Sequence, residues 1–307
     1  DAERWRRDGE AYRDRANRLL WDGLKFRHHV HLDAIDHGSF DEAGQLAMGN
    51  TWAMTRGLAT PEQAQSIIGE YQRRQAKTGD AYPWWSLQPG YPDDLGYFSA
   101  PFLKQGGYAN GGLMPWVGGE LCRAAFRFGR ESYGVQLLRD YIRHLKRTGG
   151  AHVWYWPDGT PGFRTTNEVP YASWGMAEWL NAAMEGLAGI HDEAGQLRVA
   201  ALSPRWAAAG IGEARVAARY AASKAYVAYH MQIDSKASVI RLAFTGSGKE
   251  VRASVLLPVG WTPVTITHAG HPLRHDLVTD TASRYARLTL PVAGVQSVVI
   301  QCRSIPH

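Results

Sequence analysis

The run Gly106-Gly107-Tyr108-Ala109-Asn110-Gly111-Gly112-Leu113-Met114-Pro115-Trp116 leads straight into a stretch with helical periodicity. Three readings of it compete. A phosphate-cradling loop needs a basic partner and a preceding strand, and neither is present. A tight turn at a helix start would account for the glycines alone. In the third reading the glycines bring backbone close to a ligand, to which Tyr108, Asn110 and Trp116 present aromatic faces and an amide.

Working outward from this run, residues 1–210 read as six helices separated by loops rich in Gly, Pro and Trp. The periodicity predicts helices over 10–26, 41–58, 60–77, 113–129, 131–148 and 171–190. Thr60-Pro61 is a good start for the third, and Gly129 and Gly149-Gly150 are stops for the fourth and fifth. Tight connections alternate with long ones at 27–40, 78–112 and 149–170. In a stack of antiparallel helix pairs, long loops at every second connection emerge at one end, and loops of this length are usually functional. That end is the expected site.

From about residue 210 the period changes to two, over Tyr226–Ile233, Val239–Phe244, Val251–Leu257, Val264–His268, Tyr285–Leu290 and Ser297–Cys302. Turn signals such as Gly246-Ser247-Gly248 bound these runs. The expected fold class is therefore α+β in sequence order: a helical domain over 1–210, then a small antiparallel β-sandwich domain over 211–307.

Composition agrees with an ordinary globular protein of 307 residues, 45% hydrophobic and 21% charged. Lys and Arg number 34 against 29 Asp and Glu and are spread along the chain, so a nucleic-acid surface is not expected. No apolar run approaches the roughly 18 residues of a membrane span. The opening DAERWRRDGE lacks a signal-peptide core. The compartment stays open, periplasmic or secreted placement included. Cys122 and Cys302 read as two buried thiols.

The aromatic residues point to sugars. Pyranose rings offer apolar C–H faces and hydroxyls, so carbohydrate clefts collect Trp, Tyr, Asn and Asp. Nine of the 12 tryptophans lie between residues 52 and 206. Trp84, Trp85, Trp154 and Trp156 sit in long loops and, with Tyr108, Asn110, Trp116 and Tyr171, are the expected sugar contacts. Trp52, Trp174 and Trp179, at helical positions, read as packing.

Glycosidic cleavage needs two carboxyl groups. Glu168, in Thr165-Thr166-Asn167-Glu168-Val169-Pro170-Tyr171, is the best placed. It reads equally as a helix-start charge. Asp22 opposes the dipole of the first helix, and with Asp36 it is the next candidate; Asp33, Asp93, Asp94, Glu120 and Asp158 read more readily as surface charges. His28, His29 and His31 suggest a metal site, since alternate residues of an extended segment share a face, but without a matching Cys, His or carboxylate pattern elsewhere no metal is expected. No cofactor is expected either.

Taken together, Leu19-Leu20-Trp21-Asp22, Pro83-Trp84-Trp85-Ser86-Leu87-Gln88-Pro89, Tyr108-Ala109-Asn110-Gly111-Gly112 and Glu168 resemble the C-terminal half of (α/α)6-barrel glycoside hydrolases. The family 63 glucosidase-like enzymes and the amylo-1,6-glucosidase type come nearest. The order of helices and then strands is also similar to family 78 α-L-rhamnosidases. The resemblance covers about residues 10–206 and implies inverting hydrolysis with Glu168 as general base. It also implies a toroid of twelve helices, of which only six are visible here, and a general acid from the first half of the barrel. A second polypeptide, or an N-terminal half, would complete the ring. Two alternatives remain. One is a polysaccharide lyase or sugar epimerase using His152, Tyr155 and Arg164. The other is a non-catalytic carbohydrate-binding or assembly subunit.

Overall fold

The computed structural model describes residues 1–95, 100–163 and 170–304. The chain divides into two compact units, one of residues 1–128 and 137–180 and one of residues 129–136 and 181–307.

In the first unit α1 spans Ala2–Leu20 and has no buried residue. It stops short of the expected residue 26 because Asp22 Oδ1 accepts hydrogen bonds from the backbone N–H groups of Leu24 and Lys25, both at 2.9 Å. Gly23 turns the chain there at φ +99°, so an Asx turn replaces the next helical turn. The second helix is also shorter than its pattern. Leu46–Ala47 form β1, which pairs antiparallel with β2 at Leu87–Gln88, and α2 covers only Gly49–Thr55. Helix α3, Pro61–Thr78, opens on a capping box of Thr60 with Gln63 and ends at Gly79 in the left-handed conformation. Helices α4 (Pro115–Arg127), α5 (Glu131–Thr148) and α6 (Ser173–Asn181) follow, and the chain continues from α6 in π-helical turns over Ala182–Leu187.

Helix α4 is the centre of the unit, with α2 and α3 both packed on it. Its Gly118 and Gly119 permit close approach: an added Cβ would stand 2.6 Å from the Trp84 and Trp179 rings at one and 2.7 Å from the Glu178 backbone at the other. Trp84 and Trp85 are fully enclosed in this interior, and Trp179 stacks on Tyr141 at 4.2 Å.

Two of the long loops, 78–112 and 149–170, and the residue before α2 are laced together by backbone hydrogen bonds. Met48 donates to Ser86 at 3.0 Å, Ser86 to Gly112 at 2.8 Å and Met114 to Trp84 at 2.6 Å. Leu113 and Tyr155 exchange bonds of 2.8 and 2.9 Å, and Val153 donates to Pro170 at 2.9 Å. Helices α2 and α4 each begin one residue after a laced position, and α6 begins one residue after Ala172, which donates to the Ala151 carbonyl at 3.0 Å; these starts form a laced edge.

The second unit holds strands β3 (Ile190–Asp192), β4 (Val199–Leu202), β5 (Glu213–Arg219), β6 (Tyr226–Asp234), β7 (Val239–Gly246), β8 (Glu250–Leu256), β9 (Trp261–His268), β10 (His271–Pro272), β11 (Asp276–Asp280), β12 (Ser283–Pro291) and β13 (Gln296–Ser304). They form a six-stranded sheet in the order β10-β9-β13-β7-β6-β5 and a five-stranded sheet in the order β11-β12-β8-β4-β3. All pairs are antiparallel except β4 with β8. Both sheets feed one core: Leu202, Val251, Val255 and Leu288 from the smaller, Val227, Leu242, Phe244 and Ile300 from the larger. Strands β3 and β4 lie before residue 211, in a stretch whose pattern reads as helix end and loop. The entry into β3 is tight. An added Cβ at Gly189, which has φ +71°, would stand 1.9 Å from the Ser203 carbonyl oxygen.

A helical segment followed by a β unit is thus the architecture. Closure of the helices into a ring belongs to the proposal below. Among the described residues no helix is long and apolar enough to cross a membrane. Both cysteines are free and buried.

Candidate functional site

Trp154 organises the laced edge. Its ring is fully buried, and Gly162 lies so close that an added Cβ would stand 2.1 Å from it. Around Trp154, Met114, Val117, Val153 and Ala172 are buried, while Trp52, Tyr108, Trp116, Trp156 and Phe163 pack on them only partly covered. Ring centroids run 4.8 Å from Trp154 to Trp156, 6.0 Å to Tyr108 and 5.5 Å to Phe163. Phe102 extends the set, 6.3 Å from Tyr108, and Trp174 lies 6.5 Å from Trp116. Trp174 and Tyr171 are more than half exposed, at 52% and 59%. The result is a semi-rigid aromatic surface, anchored from beneath and open to solvent, suited to stacking on apolar ring faces.

Several expected contacts are not on this surface. Trp84, Trp85 and Trp154 are enclosed, with at most 1% exposed, and cannot stack on a sugar. Trp84 instead stacks on Tyr82 at 4.1 Å, and Trp85 donates to Asp80 at 2.7 Å. Asn110 is buried and its amide is committed to the fold. Its Oδ1 accepts from Tyr91 N–H at 2.6 Å, and its Nδ2 donates to the carbonyls of Tyr91 and Leu103, both at 3.0 Å. The glycine-rich run is therefore a clamped turn, held further by Ser86 Oγ donating to the Tyr108 carbonyl at 2.7 Å. Trp174, read from its helical position as packing, is instead exposed.

Glu168 and Arg164 lie outside the described residues. Asp22 is held by Lys25, whose Nζ reaches its Oδ2 at 2.6 Å with Lys25 itself buried. Burial opposes its charge, but the hydrogen bonds from Lys25 and Leu24 outweigh that and keep the carboxyl below its usual range. Asp36 accepts the Gly38 N–H at 2.8 Å, Asp93 that of Gln105 at 2.7 Å and Asp158 that of Thr160 at 2.8 Å. Glu120, read as a surface charge, is fully buried and bonded to Arg56 at 3.0 Å. Burial raises its pKa above the usual value, and the neighbouring Glu178 adds to the rise against a hydrogen bond from Thr55. Tyr155, a candidate lyase base, is fully buried, accepts from His152 N–H at 2.8 Å and is pushed up by burial.

The histidine segment gathers more tightly than its sequence indicated. His28, His29 and His31 are joined by His37 and Glu42, the only groups among the described residues with ligand atoms close enough to hold a metal ion. Burial lowers the His28 pKa, with His29 adding to it. Burial opposes the charge on Glu42, but hydrogen bonds from Tyr91 and His31 keep its carboxyl below the usual range. His37 and Glu42 were legible only as four histidines within ten residues followed by a Gly38 turn. Tyr91 had no signal at all, because a distant loop brings it there.

A helical unit with an aromatic loop surface, accompanied by a β-sandwich unit, is the class this chain defines. No family model matches it, and no curated protein is similar to it in sequence. Among solved structures it is similar to a GH127 β-L-arabinofuranosidase from Geobacillus stearothermophilus T6, with a TM-score of 0.34 and 9% identity over 83% of this chain. The match spans 41% of that enzyme's chain. Likeness of this degree fixes neither family nor activity.

Proposed function

We propose that the chain is a glycoside hydrolase, or the base-bearing part of one, acting on an oligosaccharide or polysaccharide. The observation that carries this reading is the aromatic surface of Trp116, Trp156, Tyr108 and Trp174 around buried Trp154. These half-open rings offer successive sugar faces a platform whose ordering cost is already met by the fold. The motif resemblance adds the chemistry: Glu168 takes a proton from water, which attacks the anomeric carbon with inversion while a separate acid protonates the leaving oxygen. That acid, with the remaining helices of a ring, comes from another polypeptide segment. Support for this is the uncovered α1 and the exposed Met176 and Leu180 of α6.

Glu168→Gln tests the base. Turnover should fall at least about 100-fold with sugar binding and far-UV dichroism retained, because only proton acceptance is removed. Unchanged turnover would refute the assignment. A second reading, a carbohydrate-binding subunit without catalysis, is favoured by one observation: Asp22, Asp36, Asp93, Asp158 and Glu120 are all engaged in local contacts. It requires oligosaccharide binding with no product even when the partner segment is supplied.

A further inference from the structure

We propose that His29, His31, His37 and Glu42 form a binding site for a divalent transition-metal ion of the zinc class. The site is independent of the hydrolase reading. Glu42 Oε2 lies 3.1 Å from His29 Nε2, 2.6 Å from His31 Nε2 and 3.2 Å from His37 Nε2. The imidazole nitrogens also face one another: His31 Nε2 is 2.9 Å from His29 Nε2 and 3.3 Å from His37 Nε2.

The four groups turn their binding atoms toward one another. Each Nε2 has one in-plane position, holding either a proton or a lone pair. With the imidazole protons on Nδ1, three lone pairs and a carboxylate oxygen converge on one region. A cation at their centre satisfies all four at once. Zinc bonds of about 2.0–2.1 Å in a tetrahedron place ligand atoms roughly 3.3 Å apart. Five of the six separations here run from 2.6 to 3.3 Å, so a small outward shift of these atoms makes room for the ion.

The surroundings are those of a metal site. The second carboxylate oxygen of Glu42 is held by the Tyr91 hydroxyl, and His29 Nδ1 contacts His28 Nδ1 at 2.8 Å. His28 Nε2 is in turn fixed by Gln45 Oε1 at 3.0 Å, and Gln45 is fully buried and donates to the Pro89 carbonyl at 2.9 Å. Such outer partners set the orientation of ligating rings. A cleft of about 280 Å³ lined by His28, His29, His31 and Glu42 gives an ion access. Three imidazoles with one carboxylate select zinc, nickel, cobalt or copper over calcium or magnesium. Residues 27–45 contain no helix or strand, so the ion would pin a segment that otherwise relies on turns and side-chain hydrogen bonds.

The test uses the untagged chain, stripped with a chelator and titrated with zinc against a chromophoric competitor. Bound metal is counted by inductively coupled plasma mass spectrometry. One zinc per chain is expected, with affinity lowered about 100-fold or more in His31→Ala and in Glu42→Gln, and unchanged in His271→Ala, an exposed histidine of β10. X-ray absorption of the zinc-loaded native chain should show three imidazoles and one oxygen near 2.0 Å, a readout that does not need the variants to fold. Failure to retain stoichiometric zinc, equal affinity in His31→Ala, or fewer than two imidazoles at the metal would each overturn the site.

Discussion

The two units differ in where their apolar residues go. In the β unit, alternation along the strands sends them to a single core shared by both sheets, as the pattern of buried and open residues along β6 and β8 shows. In the helical unit they divide three ways: an interior around Trp84, Trp85 and α4, a half-open aromatic surface at the laced loops, and the uncovered faces of α1 and α6. Regular alternation leaves little for a partner or ligand to use, whereas long loops between helices leave both aromatic surface and unpaired chemistry. On this contrast the proposed recognition surface belongs to the helical unit.

The largest effect expected from this contrast is in the shared core. Phe244→Ala removes a side chain that is 1% exposed between the sheets and should cost about 4 kcal/mol, read as a lower urea midpoint. A loss under about 1 kcal/mol would mean the sheets do not share one packed core.

Next comes a pH effect confined to the helical unit. His144 is fully buried, and burial, with Arg147 and His152 adding, pushes its pKa down to about 4 from an ordinary 6.5. Between those values the unfolded chain binds a proton that the folded chain does not, so stability is complete above the ordinary value and falls with pH toward the lower one. The loss should approach about 3 kcal/mol, and His144→Leu should flatten it. Equal slopes in denaturation midpoints between pH 7 and pH 4.5 would contradict the burial of a neutral imidazole.

A smaller change sharpens the aromatic surface against the interior beneath it. Trp116→Ala should weaken oligosaccharide binding about tenfold, a loss of about 1.4 kcal/mol, in a calorimetric titration, with little change in stability. The smallest effect belongs to an exposed loop residue of the helical unit. Leu32 is fully exposed, so Leu32→Ala should shift the isolated chain's stability by less than about 0.5 kcal/mol, as thermal melting would show.

Much of this architecture was legible because hydrophobic period is a local property. Strands such as Val239–Gly246 and helices such as Pro61–Thr78 announce themselves by spacing and caps. Helix α2 was overread because Leu46–Ala47 belong to a ladder with residues some forty positions away, and no local signal reports a distant partner. Strand β5 was missed because its Ala-rich sequence, Glu213–Arg219, reads as weakly as helix or coil. The same limit governed the site. Of the expected contacts, Tyr108 and Trp156 in loops and Trp116 and Tyr171 beside helix starts are open or half-open, whereas loop position gave the enclosed Trp84, Trp85 and Trp154 the same standing. Which tryptophan faces solvent depends on lacing between loops, as with Gly162 against Trp154. Asn110 was misread for the reverse reason, since its partners Tyr91 and Leu103 lie in other parts of the same long loop.

The central claim is that the laced aromatic edge binds carbohydrate. Its most direct test is a glycan-array screen of the native chain, followed by titration of the best oligosaccharide into the native protein and a Trp116→Ala, Trp156→Ala double variant. The account predicts saturable binding of a defined oligosaccharide that is lost in the double variant while its fold, by circular dichroism, is retained. No bound glycan, or binding equal in the double variant, would contradict it.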